Sequence, residues 1–208
     1  MKKNGFTLAE VLITLGIVGV ISAMVIPTFT TRMQTAKIGP KLAKAKAAFE
    51  QATIAILDDA QSDSLSGVQD GAVVGDSGAF YNLLATHMKG SSVSTTTGEG
   101  EEAVTTTTGF TSADGASYAV NSWGSAGNSR MPHMRQVASE VMIDINGDLE
   151  PNRDARDRFY FRMMDDGSLK PFGEGGAWRT SCAPDSVPGN LKDCTGHVLE
   201  NGLRVDYR

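Results

Sequence analysis

The stretch MKKNGFTLAEVLITLGIVGVISAMVIPTFT, residues 1–30, carries a single ionisable residue, Glu10, inside an otherwise apolar run. From Phe6 to Ile26, about 21 residues would make a helix roughly 31 Å long, close to the hydrocarbon thickness of a bilayer. The segment therefore reads as a membrane span. A cleaved secretory signal would need a shorter apolar stretch ended by small residues, whereas Met24-Val25-Ile26 continue the run beyond Ser22-Ala23. Lys2 and Lys3 precede the span and Arg32 and Lys37 follow it, so flanking charge does not set its orientation. A carboxylate in hydrocarbon costs several kcal/mol, on the order of 2.5–3.5 at a helix centre and less near an interface. Glu10 must therefore snorkel to the headgroups or find a cationic partner.

The letters around Glu10 are specific. Gly5-Phe6-Thr7-Leu8-Ala9-Glu10, behind a short basic leader and ahead of a membrane-length helix, closely resembles the processing site of type IV prepilins and type II secretion pseudopilins. The resemblance implies that the prepilin peptidase cuts between Gly5 and Phe6 and methylates the new amino terminus on Phe6. It makes Glu10 the fifth residue of the mature chain, where family members pair it with the N-terminal amine of a neighbouring subunit during filament assembly. A charge that gains its partner only on assembly would favour insertion in correct register over random association. Loss of Lys2 and Lys3 would take the formal charge from -5 to -7. Pro27 also fits the family, whose helices often carry a proline near this point, where it removes one hydrogen bond and can bend the helix. Gly16 and Gly19 could allow close helix contact, but two glycines are a weak signal.

Beyond the span, a chain of 208 residues has room for one globular domain, and a net charge of -5 gives no basic field to attract nucleic acid. Ile38, Leu42, Ala45, Phe49, Ala52 and Ile56 recur at spacings of four and three, placing them on one helical face, with Lys37, Lys41, Lys44 and Lys46 largely off it. Gly39-Pro40 predicts a break or bend in that helix. AFYNLLATHM predicts a short second helix. The segment SSVSTTTGEGEEAVTTTTG, poor in aliphatic residues, reads as an exposed loop, with an edge hairpin as the alternative. FTSADGASYAV with its Asp114-Gly115 turn, then EVMIDI, RFYFRMM and the residues after Asp166-Gly167, predict a small antiparallel sheet of three or four strands. The predicted fold is α+β and pilin-like: a long N-terminal helix, membrane-spanning then amphipathic, packed on that sheet. Its parts are a leader (1–5), a transmembrane and filament-core helix (6–30), an amphipathic helix continuing into the head (31–60), and an extracytoplasmic head with a C-terminal disulfide loop (61–208).

Three clusters could carry chemistry. In VMIDINGDLEPNRDARDRFYF, the oxygen-bearing residues Asp144, Asn146, Asp148 and Asp157 are spaced like a calcium loop, and some pseudopilins hold calcium in such loops. Yet Leu149 stands where an EF-hand needs glycine, Gly147 comes two residues early, and the twelfth position lacks glutamate, so the first reading is a strand connection. The stretch also resembles a D-x-N-G-x-x-x-P-N-x-x-x-x-D-x-F pattern of pilin-like bacterial proteins, matched by Asp144, Asn146, Gly147, Pro151, Asn152, Asp157 and Phe159. Calcium is thus the cofactor such a loop would take, and none is required. Cys182 and Cys194 read as one disulfide on an exported chain, in kind with the C-terminal disulfide loops of many type IV pilins. The rival is a zinc site using Cys182, Cys194 and His197, for which no fourth ligand is evident. His87, His133 and His197 are scattered and no nucleophile or phosphate-loop motif is present, so no enzyme is expected. Trp123, Trp178 and Tyr207 read as packing residues.

The resemblance implies a structural subunit, pseudopilin or minor pilin, of a type II secretion or type IV pilus filament. Its implied partners are the prepilin peptidase, other pilin or pseudopilin subunits and the inner membrane, with no nucleic acid expected. Before assembly the subunit would cross the inner membrane once, head extracytoplasmic, and afterwards lie in the filament. One alternative is a pilus-associated module that captures DNA or a surface ligand through Arg130 and Arg135 or through Arg204 and Arg208. The other is an unrelated single-span membrane-anchored protein, in which Gly5 is never cut.

Overall fold

The computed structural model describes residues 7–65, 68, 77–97, 104–121, 137–147, 149–150, 152–180, 182 and 191–203. The chain divides into two compact units, Met1–Lys37 and Ile38–Arg208. Helix α1 comprises Leu8–Asp59. Within the first unit its segment Leu8–Ile26 has a mean hydropathy of 2.3 and none of it is buried. Among the described residues this is the only helix long and apolar enough to cross a membrane.

In the second unit the amphipathic part of α1 is the spine of the core. Leu42, Ala45, Phe49, Ala52 and Ile56 are all buried, and the half-buried Ile38 packs against them. The periodic face is thus the buried face. Of the break or bend expected at Gly39-Pro40, a break does not occur: the helix is the one long element anticipated. The carbonyl that Pro40 leaves without a donor belongs to the exposed Ala36, where water can replace the lost bond. Gly39 has a different purpose: a Cβ there would lie 2.0 Å from the Leu203 carbonyl oxygen, so only glycine lets the C-terminal backbone pass this close.

The sheet has six antiparallel strands in sequential order: β1 (Gly90–Thr97), β2 (Val104–Ser112), β3 (Ser117–Asn121), β4 (Val137–Asp144), β5 (Arg158–Met164) and β6 (Leu169–Pro171). Three or four strands had been expected, and the difference lies at one edge. The Ser/Thr-rich segment forms the β1–β2 hairpin, registered from Gly90↔Ser112 to Thr97↔Val104 with a bulge at Val93/Ser94. Threonine suits strands because its branched β-carbon fits the pleat, so a strand can form without an aliphatic core face.

Strand parity sorts the faces. Tyr118, Val120, Val141, Ile143, Phe159, Phe161 and Met163 are buried on the inner face, against α1 and α2 (Ser77–His87). Phe49 stacks on Tyr118 at 5.5 Å between ring centroids and meets Phe80 of α2 edge-on at 6.2 Å. Polar ties fix the helix on the sheet. The Tyr118 hydroxyl donates to the Ala45 carbonyl at 3.2 Å, and the Leu169 N–H donates to the Glu50 carboxylate at 2.8 Å. The buried Thr53 hydroxyl reaches the Gly167 carbonyl at 2.8 Å, in a turn whose φ of 81° favours glycine. The C-terminal segment, helix α3 (Cys194–Glu200) and the 3₁₀ turns Glu174–Thr180 and Leu191–Asp193, packs beside β5 and β6.

Candidate functional site

Gly5 and Phe6 lie outside the described residues, whereas Thr7 and Glu10 do not. The Glu10 carboxylate accepts from the Thr7 N–H at 2.8 Å and from the Thr7 hydroxyl at 2.7 Å, while the Glu10 N–H donates back to Thr7 Oγ1 at 3.3 Å. This is a capping box: two N–H groups that the first helical turn cannot bond internally are satisfied by reciprocal side chains. Its sequence signal, Thr7-x-x-Glu10, is plain once sought. The carboxylate in the apolar run thus has local donors. Around it Leu8, Leu12, Ile13, Leu15 and Ile17 are all exposed, and a Cβ on Gly16 or Gly19 would meet nothing within 4 Å. An apolar face of this extent stays out of water only in lipid or against other chains.

The polar loop between β4 and β5 is closed largely by its own donors. Asp144 is buried; it accepts the Asn146 N–H at 3.2 Å through one oxygen and the Arg158 Nε–H at 3.2 Å through the other. Burial holds its carboxyl above the usual carboxylate range, against the pull of those two donors. Asp157, also buried, accepts the N–H groups of Asn152 at 2.7 Å and Arg153 at 2.6 Å. The Asn146 amide donates to the Leu149 carbonyl at 2.7 Å, and Phe159 sits fully in the core. Asp144, Asn146, Asn152, Asp157 and Phe159 of the D-x-N-G…P-N…D-x-F pattern are therefore fastenings of a tight connection, and Pro151 lies outside the described residues. Asp148 lies outside the described residues. Asn146 Oδ1 is buried without a donor among them, but a calcium ion takes about six to eight oxygens and would have to displace Arg158 and the backbone donors. No group of three or more His, Cys, Asp or Glu among the described residues is placed to hold a metal.

Cys182 and Cys194 form a disulfide with a Cα–Cα distance of 5.4 Å. The zinc alternative fails here, because both sulfurs are consumed and His197 stacks edge-on against Trp178 at 4.2 Å. Trp178 donates its indole N–H to Glu200 at 2.7 Å, so it is a packing and fastening residue. Trp123, Tyr207, His133, Arg130, Arg135, Arg204 and Arg208 lie outside the described residues. Two surface grooves, of about 350 and 700 Å³, meet at His87, which pairs with Asp59 at 3.3 Å. In the smaller groove the Ser112 hydroxyl donates to the Asp114 carboxylate, which Lys44 also pairs at 2.8 Å.

Residues 1–26 match the family described as prokaryotic N-terminal methylation motif, the prepilin signal of type IV pilins and pseudopilins. No curated protein and no solved structure matches the chain. The signal and the exposed apolar helix that follows it are consistent with membrane anchoring, and the α+β layout fits a pilin-like fold.

Proposed function

We propose that this chain is a structural subunit, a pseudopilin or minor pilin, of a type II secretion or type IV pilus filament. The observation that carries the reading is the prepilin signal running into an apolar helix, Leu8–Ile26, none of which is buried. The prepilin peptidase would cut after Gly5 and methylate Phe6. The helix would then leave the inner membrane by exchanging lipid for the helices of neighbouring subunits. Glu10 would exchange its Thr7 donors, in part, for the amine of a neighbour's Phe6. The capping box suits that role, since it satisfies the carboxylate until the amine arrives. The Cys182–Cys194 disulfide supports an extracytoplasmic head, because such bonds persist in oxidising compartments.

Intact mass and the N-terminal peptide of the protein recovered from its native membrane test the reading. A chain beginning at methylated Phe6 supports it. Retention of Met1, or cleavage near Ala23, overturns it.

A further inference from the structure

Within the head, α1 keeps one side away from the sheet. Lys44, Ala47, Gln51, Ile54 and Asp58 are all exposed and recur at spacings of three and four, so they form a single stripe opposite the buried one. Lys44 is taken by Asp114 at 2.8 Å, whereas Ile54 leaves 57% of its surface in water. Asp58, one turn beyond Ile54, is in no ion pair among the described residues. It stands in the last turn of the helix, where the dipole disfavours a carboxylate and no basic residue offsets it. The end of this stripe is thus an apolar side chain beside an uncompensated negative charge.

The β4–β5 loop displays the complementary groups. Leu149 is 69% exposed on a loop fastened from within, its carbonyl taken by the Asn146 amide at 2.7 Å. The Arg156 N–H donates to the Arg153 carbonyl at 3.1 Å, closing a turn with an exposed arginine at each corner. Neither arginine is in an ion pair among the described residues. Of the acids described in this loop, Asp144 and Asp157 are buried, Asp154 accepts the Tyr160 hydroxyl at 2.7 Å, and Glu150 is exposed, so the charge these residues display is positive. The Thr53 bond to Gly167 sets the end of α1 beside the β5–β6 turn, while the loop lies at the other end of β5. At about 3.4 Å per residue, β5 separates the two by roughly 20 Å, too far for one head to close the contact on itself. Resting on the filament reading above, we propose that the Ile54–Asp58 stripe of one copy receives the β4–β5 loop of a second copy, Leu149 against Ile54 and the Arg153–Arg156 turn against Asp58. The two faces differ, so the contact is head-to-tail and propagates instead of closing. An exposed ion pair and two aliphatic side chains hold little by themselves; the contact orients heads that their α1 helices already keep at high local concentration.

The test uses full-length protein in native membranes, as two differently tagged copies, one carrying Leu149→Cys and the other Ile54→Cys. The native cysteines are joined to each other and do not compete. Under a mild oxidant a disulfide should join the two tags, whereas Val93→Cys, exposed on β1, should give little of it in place of Leu149→Cys. Arg153→Glu with Arg156→Glu in the first copy should lower the yield about tenfold, and Asp58→Arg in the second should restore most of it, which a merely misfolded head would not allow. The proposal is overturned if the tags fail to join, if charge reversal leaves the yield unchanged, or if Asp58→Arg restores nothing. Copies that both carry Ile13→Cys separate the causes of failure. Links at Ile13 without links between Leu149→Cys and Ile54→Cys sink this contact and leave the filament reading standing. Links at neither place, with Met1 retained, bring down both.

Discussion

On the filament reading proposed above, the Glu10 carboxylate would serve two states. In the single chain it satisfies donors of the first helical turn, and its charge is available besides. The two roles separate by substitution. Glutamine can also complete a capping box, so Glu10→Gln should keep helix initiation, membrane insertion and Phe6 methylation but lose the charge that pairs with an amine. The filament-associated fraction, measured by shearing and sedimentation, should then fall steeply. Glu10→Ala should do no better. If Glu10→Gln assembles like the parent, the charge has no assembly role and the carboxylate is only a cap. Glu200 gives a second reporter. The Trp178 indole, first, and the Gly175 N–H hold its carboxyl below the usual carboxylate range. A carboxyl whose folded-state pKa is depressed contributes stability above its unfolded value, about 4.3, and loses it as pH falls through the lower folded value. Melting of the parent and of Glu200→Ala should therefore differ near neutrality and converge on acidification. A difference that persists at the acid end would assign the residue to packing alone.

Among the elements, α1 was the most legible in sequence, because its apolar spacing of four and three is the direct image of the face it buries. Phe49→Ala should cost about 3–5 kcal/mol in denaturant melts, since Phe49 is fully buried between Tyr118 and Phe80. The exposed Ile54 of the same helix should tolerate alanine with little change. Gly39 was legible only as the site of a break or a bend in the long helix, because nothing local announces a backbone arriving from Leu203. Helix propensity alone would make Gly39→Ala stabilising by about 1 kcal/mol. The 2.0 Å approach of the Leu203 oxygen should reverse the sign, to a loss of about 1–3 kcal/mol from overpacking. A stabilised Gly39→Ala would show that the C-terminal turn gives way freely. The β1–β2 hairpin stood only as the alternative to an exposed loop, because a Ser/Thr-rich segment has no hydrophobic period to read. In the β4–β5 loop the sequence showed the oxygens but not their donors. Most of those donors are backbone N–H groups, present at every residue and so invisible as letters.

For the whole molecule, the two units were visible in sequence as a change of composition, whereas what the head touches was not. The C-terminal cover shows why. Its attachment to the sheet depends on scattered single contacts: the Tyr160 N–H donates to Thr195 Oγ1 at 2.8 Å, the Gly196 N–H to the Phe172 carbonyl at 2.8 Å, and Gly173 and Gly196 lie back to back. The disulfide ties these residues to the turn that carries Trp178, across a separation of 12 residues. Loop-closure entropy puts its contribution at about 3 kcal/mol. Cys182, Cys194 and Val198 are buried in the same core as α1, α2 and the sheet, but the loop that the bond closes lies beyond the last strand, β6, so reduction should loosen the cover before it unfolds the sheet. Hydrogen exchange with and without reductant distinguishes the cases. Amides of 191–203 and the Tyr160 N–H should exchange faster on reduction, while those joining β4 to β5 stay protected. Uniform acceleration would mean that cover and sheet form a single cooperative unit.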